Sequence, residues 1–346
     1  MATVTATTPT RTAPVTTERR DLIVALAGLW PVTGLYLDGW AHTHVAQLET
    51  FFTPWHAVLY SGFLVHAGTL VPSGWYRQRP RGPILERVPV GYGLGLLGAL
   101  LFAIAGVADM VWHSLLGVEV DLEALLSPPH LLLLTAGTLM IATPVRAAGA
   151  RRARPVRWQG WLPAILSVFA VSAVAAFFLE YLSPFLDVPA ASGHGSAQVL
   201  GVGEYLLTTV LLVAPLLYAW GRLGRIPPGM ITAVGLAVTV PVGVLNDFQF
   251  LAGQLWALAG AVTADVALHM IRKRRPRLVP VVAGATVPAL VWALHLLGVA
   301  LTVGIAWTVE LWAGVIVLSV LSGAVLGGLL LPYDPGRDRP PAAAGT

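Results

Sequence analysis

Two polar runs stand out in an otherwise apolar chain. Asp38-Gly-Trp-Ala-His42 is followed by Glu49-Thr-Phe-Phe-Thr-Pro-Trp-His56, and Asp109-Met-Val-Trp-His113 by Glu123-Ala-Leu-Leu-Ser-Pro-Pro-His130. Both copies read D-x3-H, a spacer, then E-x3-[ST]-P-x-H. Residues four apart lie on one face of a helix, so Asp38 with His42, and Asp109 with His113, can each offer a carboxylate and an imidazole to one point. In the second half of each run the hydroxyl residue suits a helix N-cap and the proline the first helical position. His56 and His130 then fall in the first turn of a following helix, with Glu49 and Glu123 one turn before the cap. A helix hairpin that gathers one Asp, two His and a nearby Glu makes a nitrogen and oxygen donor set suited to Cu, Zn, Fe or Mn. Trp40 and Trp112, inside the two D-x3-H motifs, are placed to wall the point. The same residues could simply cap helices and hydrogen-bond one another. Repetition weighs against that, because ionisable groups in a membrane are costly and usually mark a site for ions or protons.

The elements that must position these residues follow from composition. Of 346 residues 56% are apolar and 11% charged, with a mean hydropathy of +0.74, too little polar surface for a soluble fold of this size. Apolar stretches of about 20 residues, enough to cross about 30 Å of hydrocarbon, fall at 22–41, 53–72, 89–115, 127–145, 160–183, 197–219, 229–248, 252–271, 279–301 and 307–331. The expectation is an all-α polytopic integral membrane protein of about ten transmembrane helices. All 21 Lys and Arg residues fall in the N-terminal tail, in alternate connections or in the C-terminal tail, and the intervening loops hold none. By the positive-inside rule both termini are then cytoplasmic, in a bacterial-type inner membrane, and the repeated set faces the outer side. Residues 1–20 and 332–346 read as disordered cytoplasmic tails, 21–145 as a four-helix half with the duplicated site and 146–331 as a six-helix half. The absence of cysteine excludes thiolate metal sites, iron–sulfur clusters and Cys nucleophiles. The basic balance, with a pI near 9.7, reports membrane topology rather than a nucleic-acid partner.

The run from Trp40 to Tyr60, W-x-H-T-x5-E-T-F-F-T-P-W-H-x3-Y, resembles the copper-ligand region of the C subunit of the membrane copper monooxygenases that oxidise methane or ammonia. The likeness covers roughly residues 21–145. That family carries D-x3-H, then another His preceded by an acidic residue and an F-T-P-x-H signature, and a related second set about seventy residues later; here 71 positions separate Asp38 from Asp109. The resemblance implies that Asp38, His42 and His56 ligate one copper and Asp109, His113 and His130 a second, with Glu49, Glu123, Trp40 and Trp112 around them. It further implies oxygen-dependent oxidation of a small apolar substrate and other membrane subunits, or a homo-oligomer, as partners in the bilayer. The spacers here are longer, Asp109 stands where the family has Asn, and the six helices after 145 have no counterpart in it. Copper binding is therefore the firmer expectation and monooxygenase activity the further one.

Two other classes stay open: a metal-ion or proton transporter or copper-handling protein, and a membrane hydrolase in which an Asp/His-bound zinc activates water. Zinc or iron would also suit the donors. Glu180, His194, Glu204, Asp247 and Glu310 collect at outer helix ends, either as a solvated rim or as an additional polar site. Asp265-Val-Ala-Leu-His269 repeats D-x3-H but ends beside Arg272-Lys273-Arg274-Arg275 on the opposite face, so a local hydrogen bond or ion pair is expected there. His66 and His295 lie nearer mid-membrane, where buried hydrogen-bonded histidines are expected rather than haem ligands.

Overall fold

The computed structural model describes residues 14–45, 51–71, 88–117, 121–151, 155, 157–193, 195–271 and 276–331. Glu49, His194, residues 1–13 of the expected N-terminal tail and all of the expected C-terminal tail, 332–346, lie outside them. Among the described residues all regular structure is helical. Eight helices are long and apolar enough to cross a membrane: Glu18–His44, Gly93–Leu116, Pro128–Ala150, Trp158–Phe178, Ser196–Leu223, Leu251–Ile271, Pro276–Thr302 and Val309–Gly328. The chain is a polytopic membrane protein.

The α-helices in chain order are α1 (Glu18–His44), α2 (Pro54–Leu70), α3 (Gly93–Leu116), the short α4 (Asp121–Leu126), α5 (Pro128–Ile141) and α6 (Thr143–Ala150), followed by α7 (Leu162–Phe178), α8 (Ser196–Leu223), α9 (Met230–Thr239), α10 (Leu251–Ile271), α11 (Val279–Thr302) and α12 (Val309–Gly328). Two of the ten expected spans are shorter than a full crossing. α2 has 17 residues, and Met230–Asn246 changes character within its length. Pro241 explains the second case: it has no N–H to donate to the α ladder, so α9 stops at Thr239 and a 3-10 turn takes over at Pro241–Asn246. At its other end α1 begins at Glu18, inside the expected tail, because the Thr17 hydroxyl accepts the Arg20 N–H at 3.3 Å.

The chain divides into two compact units. The first comprises Met1–Tyr181 with Pro241–Gln249, the second Leu182–Val240 with Phe250–Thr346. Unit 1 runs past the boundary expected at 145 because α7 packs on α1 and α5. Its helix hairpins close at glycines. A Cβ on Gly34 would lie 2.6 Å from the Leu59 backbone, one on Gly62 2.6 Å from the Pro31 backbone, and one on Gly98 2.6 Å from the Ala136 carbonyl. Missing side chains thus let α1 reach α2, and α3 reach α5, as small residues do in membrane interfaces. Gly34 is one turn before Asp38, so this close approach is made just below the first metal-ligand candidates. At the opposite end of α1 the buried Asp21 pairs with Arg151 and accepts from Tyr92 Oη at 2.7 Å and Thr16 Oγ1 at 2.8 Å, which anchors that end.

Candidate metal centre

α1 extends through His44, so Asp38 and His42 share a helical face as the spacing requires. Thr53 then caps α2, its hydroxyl accepting the His56 N–H at 3.1 Å with Pro54 at the first position, and His56 is delivered to the same point. Asp38 Oδ2 lies 3.2 Å from His56 Nε2 and 3.8 Å from His42 Nε2. The second copy repeats the arrangement: Asp109 Oδ1 lies 3.3 Å from His113 Nε2 and 3.1 Å from His130 Nε2. In each triad the three donor atoms fall within 4.8 Å of one another.

The opposite ring nitrogens decide what the triads can do. His56 Nδ1 sits 2.6 Å from the Phe51 carbonyl and His113 Nδ1 3.2 Å from the Gly117 carbonyl. A carbonyl only accepts, so these Nδ1 atoms carry the hydrogen. A neutral ring then turns its Nε2 lone pair toward a carboxylate oxygen, and two electron-rich atoms face each other. That geometry is stable only with a positive charge between them, either a proton on the ring or a metal ion. Imidazoles whose far N–H is held by a carbonyl are the usual form of a metal-ligating histidine. Asp109 Oδ1 and His113 Nε2 are buried without a well-formed hydrogen bond, so a shared cation would satisfy both in the more enclosed triad. The residues fit a metal with mixed nitrogen and oxygen preference.

The triads adjoin. The His56 and His113 rings lie 6.3 Å apart, and the Phe51 ring lies 4.9 Å from His56, 6.2 Å from His113 and 5.7 Å from Tyr60. Tyr60 Oη donates to Asp109 Oδ2 at 3.2 Å, so a side chain of the first hairpin positions a ligand of the second. Tyr60 is one helical turn after His56 and shares its face, a signal present in the sequence. The Phe51 and Gly117 carbonyls carry no such signal.

The surrounding residues are sorted differently from the sequence expectation. Glu123 is exposed on α4, and the second triad closes without it. Trp112 is half-buried beside His113. Trp40 stacks on His44 at 4.8 Å and packs edge-on to Trp55 at 5.9 Å, while its Nε1 points to Asp247 Oδ1 at 3.5 Å. His44, which the motif reading passed over, places Nε2 3.1 Å from Asp247 Oδ2. Asp247 and Phe248 hold positive φ of 53° and 56°, a conformation costly for residues other than glycine.

The five outer-rim residues do not form one group. Asp247 and Glu180 belong to unit 1, and burial pushes the Glu180 carboxyl up to about 8. Glu204 and Glu310 belong to unit 2, where Glu204 pairs with Asp187, an acid the sequence reading omitted. Asp265 does make a hydrogen bond, but across helices rather than locally: it accepts the Thr232 N–H at 3.0 Å and its hydroxyl at 3.1 Å, which fixes the start of α9. His295 Nδ1 meets the Gly253 carbonyl at 3.1 Å. His66 departs from the expectation: its nitrogens approach the Met140 and Val24 carbonyls without a well-directed hydrogen bond.

Compared with protein-family models, with characterised proteins and with solved structures, the chain gives no match. The reading of the centre therefore rests on its geometry and on the sequence pattern of its residues.

Proposed function

We propose that unit 1 holds two transition-metal ions side by side, copper by preference, in a membrane protein that oxidises a small apolar molecule. The observation that carries this reading is the doubled arrangement in which one carboxylate oxygen faces two imidazole Nε2 atoms, with far nitrogens of both copies held by carbonyls. Asp38, His42 and His56 would hold one ion and Asp109, His113 and His130 the other. Imidazole with carboxylate suits Cu, Zn or Fe, and the likeness of Trp40–Tyr60 to copper-ligand regions favours copper. Bound copper would supply one-electron and oxygen chemistry. Around it Phe51 gives an apolar wall, Tyr60 steadies Asp109, and the carbonyl-bound histidines keep their lone pairs aimed at the ion.

Resident metal is favoured over transport by what lies under the centre. Phe102, Ala105, Leu133, Ala136 and Met140 form a packed apolar core, and a transported ion would need a polar route through it. The absence of Lys and Arg from the motif-bearing loops favours an outward-facing centre.

Metal analysis of the purified, copper-loaded full chain tests the reading. Wild type should carry two equivalents, and His56→Ala and His130→Ala one each. Unchanged metal content in both variants would overturn it.

A further inference from the structure

Unit 2 contains a second buried polar group that the paired triads do not use. α8 carries Glu204 and Tyr205, which are 1% and 0% exposed. Asp187, in the loop before α8, is exposed, and its carboxyl is near enough to that of Glu204 for the two to interact. Two carboxylates repel and offer only acceptors, so neighbouring carboxyls with one member buried favour keeping a proton between them. Among the described residues, the elements that pack on α8 bring no Lys or Arg to it; His194, in the same loop as Asp187, lies outside them. Of the elements that pack on α8, α11 supplies His295, α12 begins with Glu310, and α9 and the turn Pro189–Ala191 carry no ionisable residue. Arg222 of α8 lies in its last turn, far from Glu204.

The pair leads inward to aromatic and polar side chains. The Tyr205 ring lies 5.8 Å from Trp307, 4.8 Å from Trp292 and 5.9 Å from His295, which is fully buried. His295 donates Nδ1–H to the Gly253 carbonyl, which leaves Nε2 as an acceptor. Gln254 donates to the Phe185 carbonyl at 3.3 Å, and the Phe185 ring lies 5.1 Å from His295. Five buried atoms here have no hydrogen-bond partner: Glu204 Oε2, Tyr205 Oη, Gln254 Oε1, His295 Nε2 and Trp307 Nε1. Orphaned buried polar atoms are costly, so a cluster of them suits a hydrated interior.

We propose that unit 2 carries a proton-loading site, in which Glu204 holds a proton delivered through Asp187, with Tyr205 and His295 as its hydrated inner continuation. The transfer is a plain acid–base exchange. Asp187 takes a proton from water at the surface, its O–H bond breaks as the Glu204 carboxylate gains that proton, and Asp187 is left anionic to take the next. The loop 184–196 holds no Lys or Arg, which puts this mouth on the outer side.

Infrared difference spectroscopy of the full chain in lipid nanodiscs, exchanged from H2O into D2O at neutral pH, tests the proposal. Wild type should show carboxylic-acid C=O bands that shift on deuteration. Glu204→Gln should lose one component, distinct from the component lost in Glu180→Gln, the other buried acid. Asp187→Ala, a change at an exposed position that spares the interior, should move the Glu204 component in frequency and slow its exchange. His56→Ala should leave it intact. The proposal fails if Glu204→Gln keeps every component, or if Asp187→Ala neither moves the component nor slows its exchange.

Discussion

In the first triad Asp38 faces one histidine at 3.2 Å and the other at 3.8 Å, whereas Asp109 faces its two at 3.1 and 3.3 Å. The Asp38 side chain is 13% exposed and that of Asp109 2%. Asp109 is also held by Tyr60, whereas among the described residues Asp38 meets only its histidines. The two copies share a sequence pattern and differ in enclosure. The pattern chooses the donors, and packing around them decides how far the site is organised before a metal arrives. On the proposed reading, the first copy would be the exchangeable site and the second the retentive one.

The largest expected effect follows directly. Dialysis of the copper-loaded protein against a chelator should strip the first copy and leave about one equivalent. Asp38→Ala should keep that retained equivalent, and Asp109→Ala should lose it. Metal content after dialysis reads the difference, and equal retention in both variants would break the comparison.

How much of this could be read from the sequence differs between the levels of structure. The D-x3-H spacing and the S/T-P-x-H turn are local, so the triad members were legible once helices were assumed, and so was the membrane fold from its apolar runs. The adjacency of the triads was not, because it depends on α2 meeting α3 through Phe51 and Tyr60, which no spacing encodes. Glu123 was misassigned for a related reason: it lies one turn before the cap in sequence, but α4 turns it out to solvent. Pro241 was a visible breaker inside an expected span, outweighed there by the apolar run. Asp187 was missed because only its nearness to Glu204 distinguishes it from an ordinary loop acid.

The hairpin contacts give the next effect. In the first copy a Cβ at Gly34 would meet Leu59 backbone, and in the second one at Gly98 would meet the Ala136 carbonyl, both at 2.6 Å. Backbone cannot give way as a side chain can, so Gly34→Ala and Gly98→Ala should each cost about 1–3 kcal/mol. Thermal unfolding in detergent would measure this. Because Gly34 is one turn from Asp38, its substitution should also spread the open triad and lower its copper affinity. Gly98 is eleven residues from Asp109, so its substitution should lower stability alone.

A smaller effect isolates the cross-link. Tyr60→Phe removes the hydroxyl that bonds Asp109 Oδ2 and leaves the ring against Phe51. Loss of such an outer partner typically weakens metal binding by about 10–100-fold. The loss should appear in the second copy, with the first unchanged, in a copper titration of wild type and variant. Equal weakening of both sites would mean that Tyr60 acts through the α2 backbone rather than through Asp109.

The finest distinction concerns the two hydroxyl residues that the motif treats as equivalent. Thr53 accepts the His56 backbone N–H and so caps α2, whereas Ser127 makes no such bond and instead meets His130 Nδ1 at 2.9 Å. One hydroxyl stabilises a helix end, and the other orients a ligand ring. Thr53→Ala should therefore cost about 1 kcal/mol of stability with little change in the copper affinity of a correctly folded protein. Ser127→Ala should leave thermal stability nearly unchanged and weaken the second site, since His130 loses the partner that holds its ring. Measuring both quantities on both variants separates the roles. If Ser127→Ala lowers the melting temperature and spares copper binding, Ser127 is a cap after all, and the two copies are more alike than their geometry indicates.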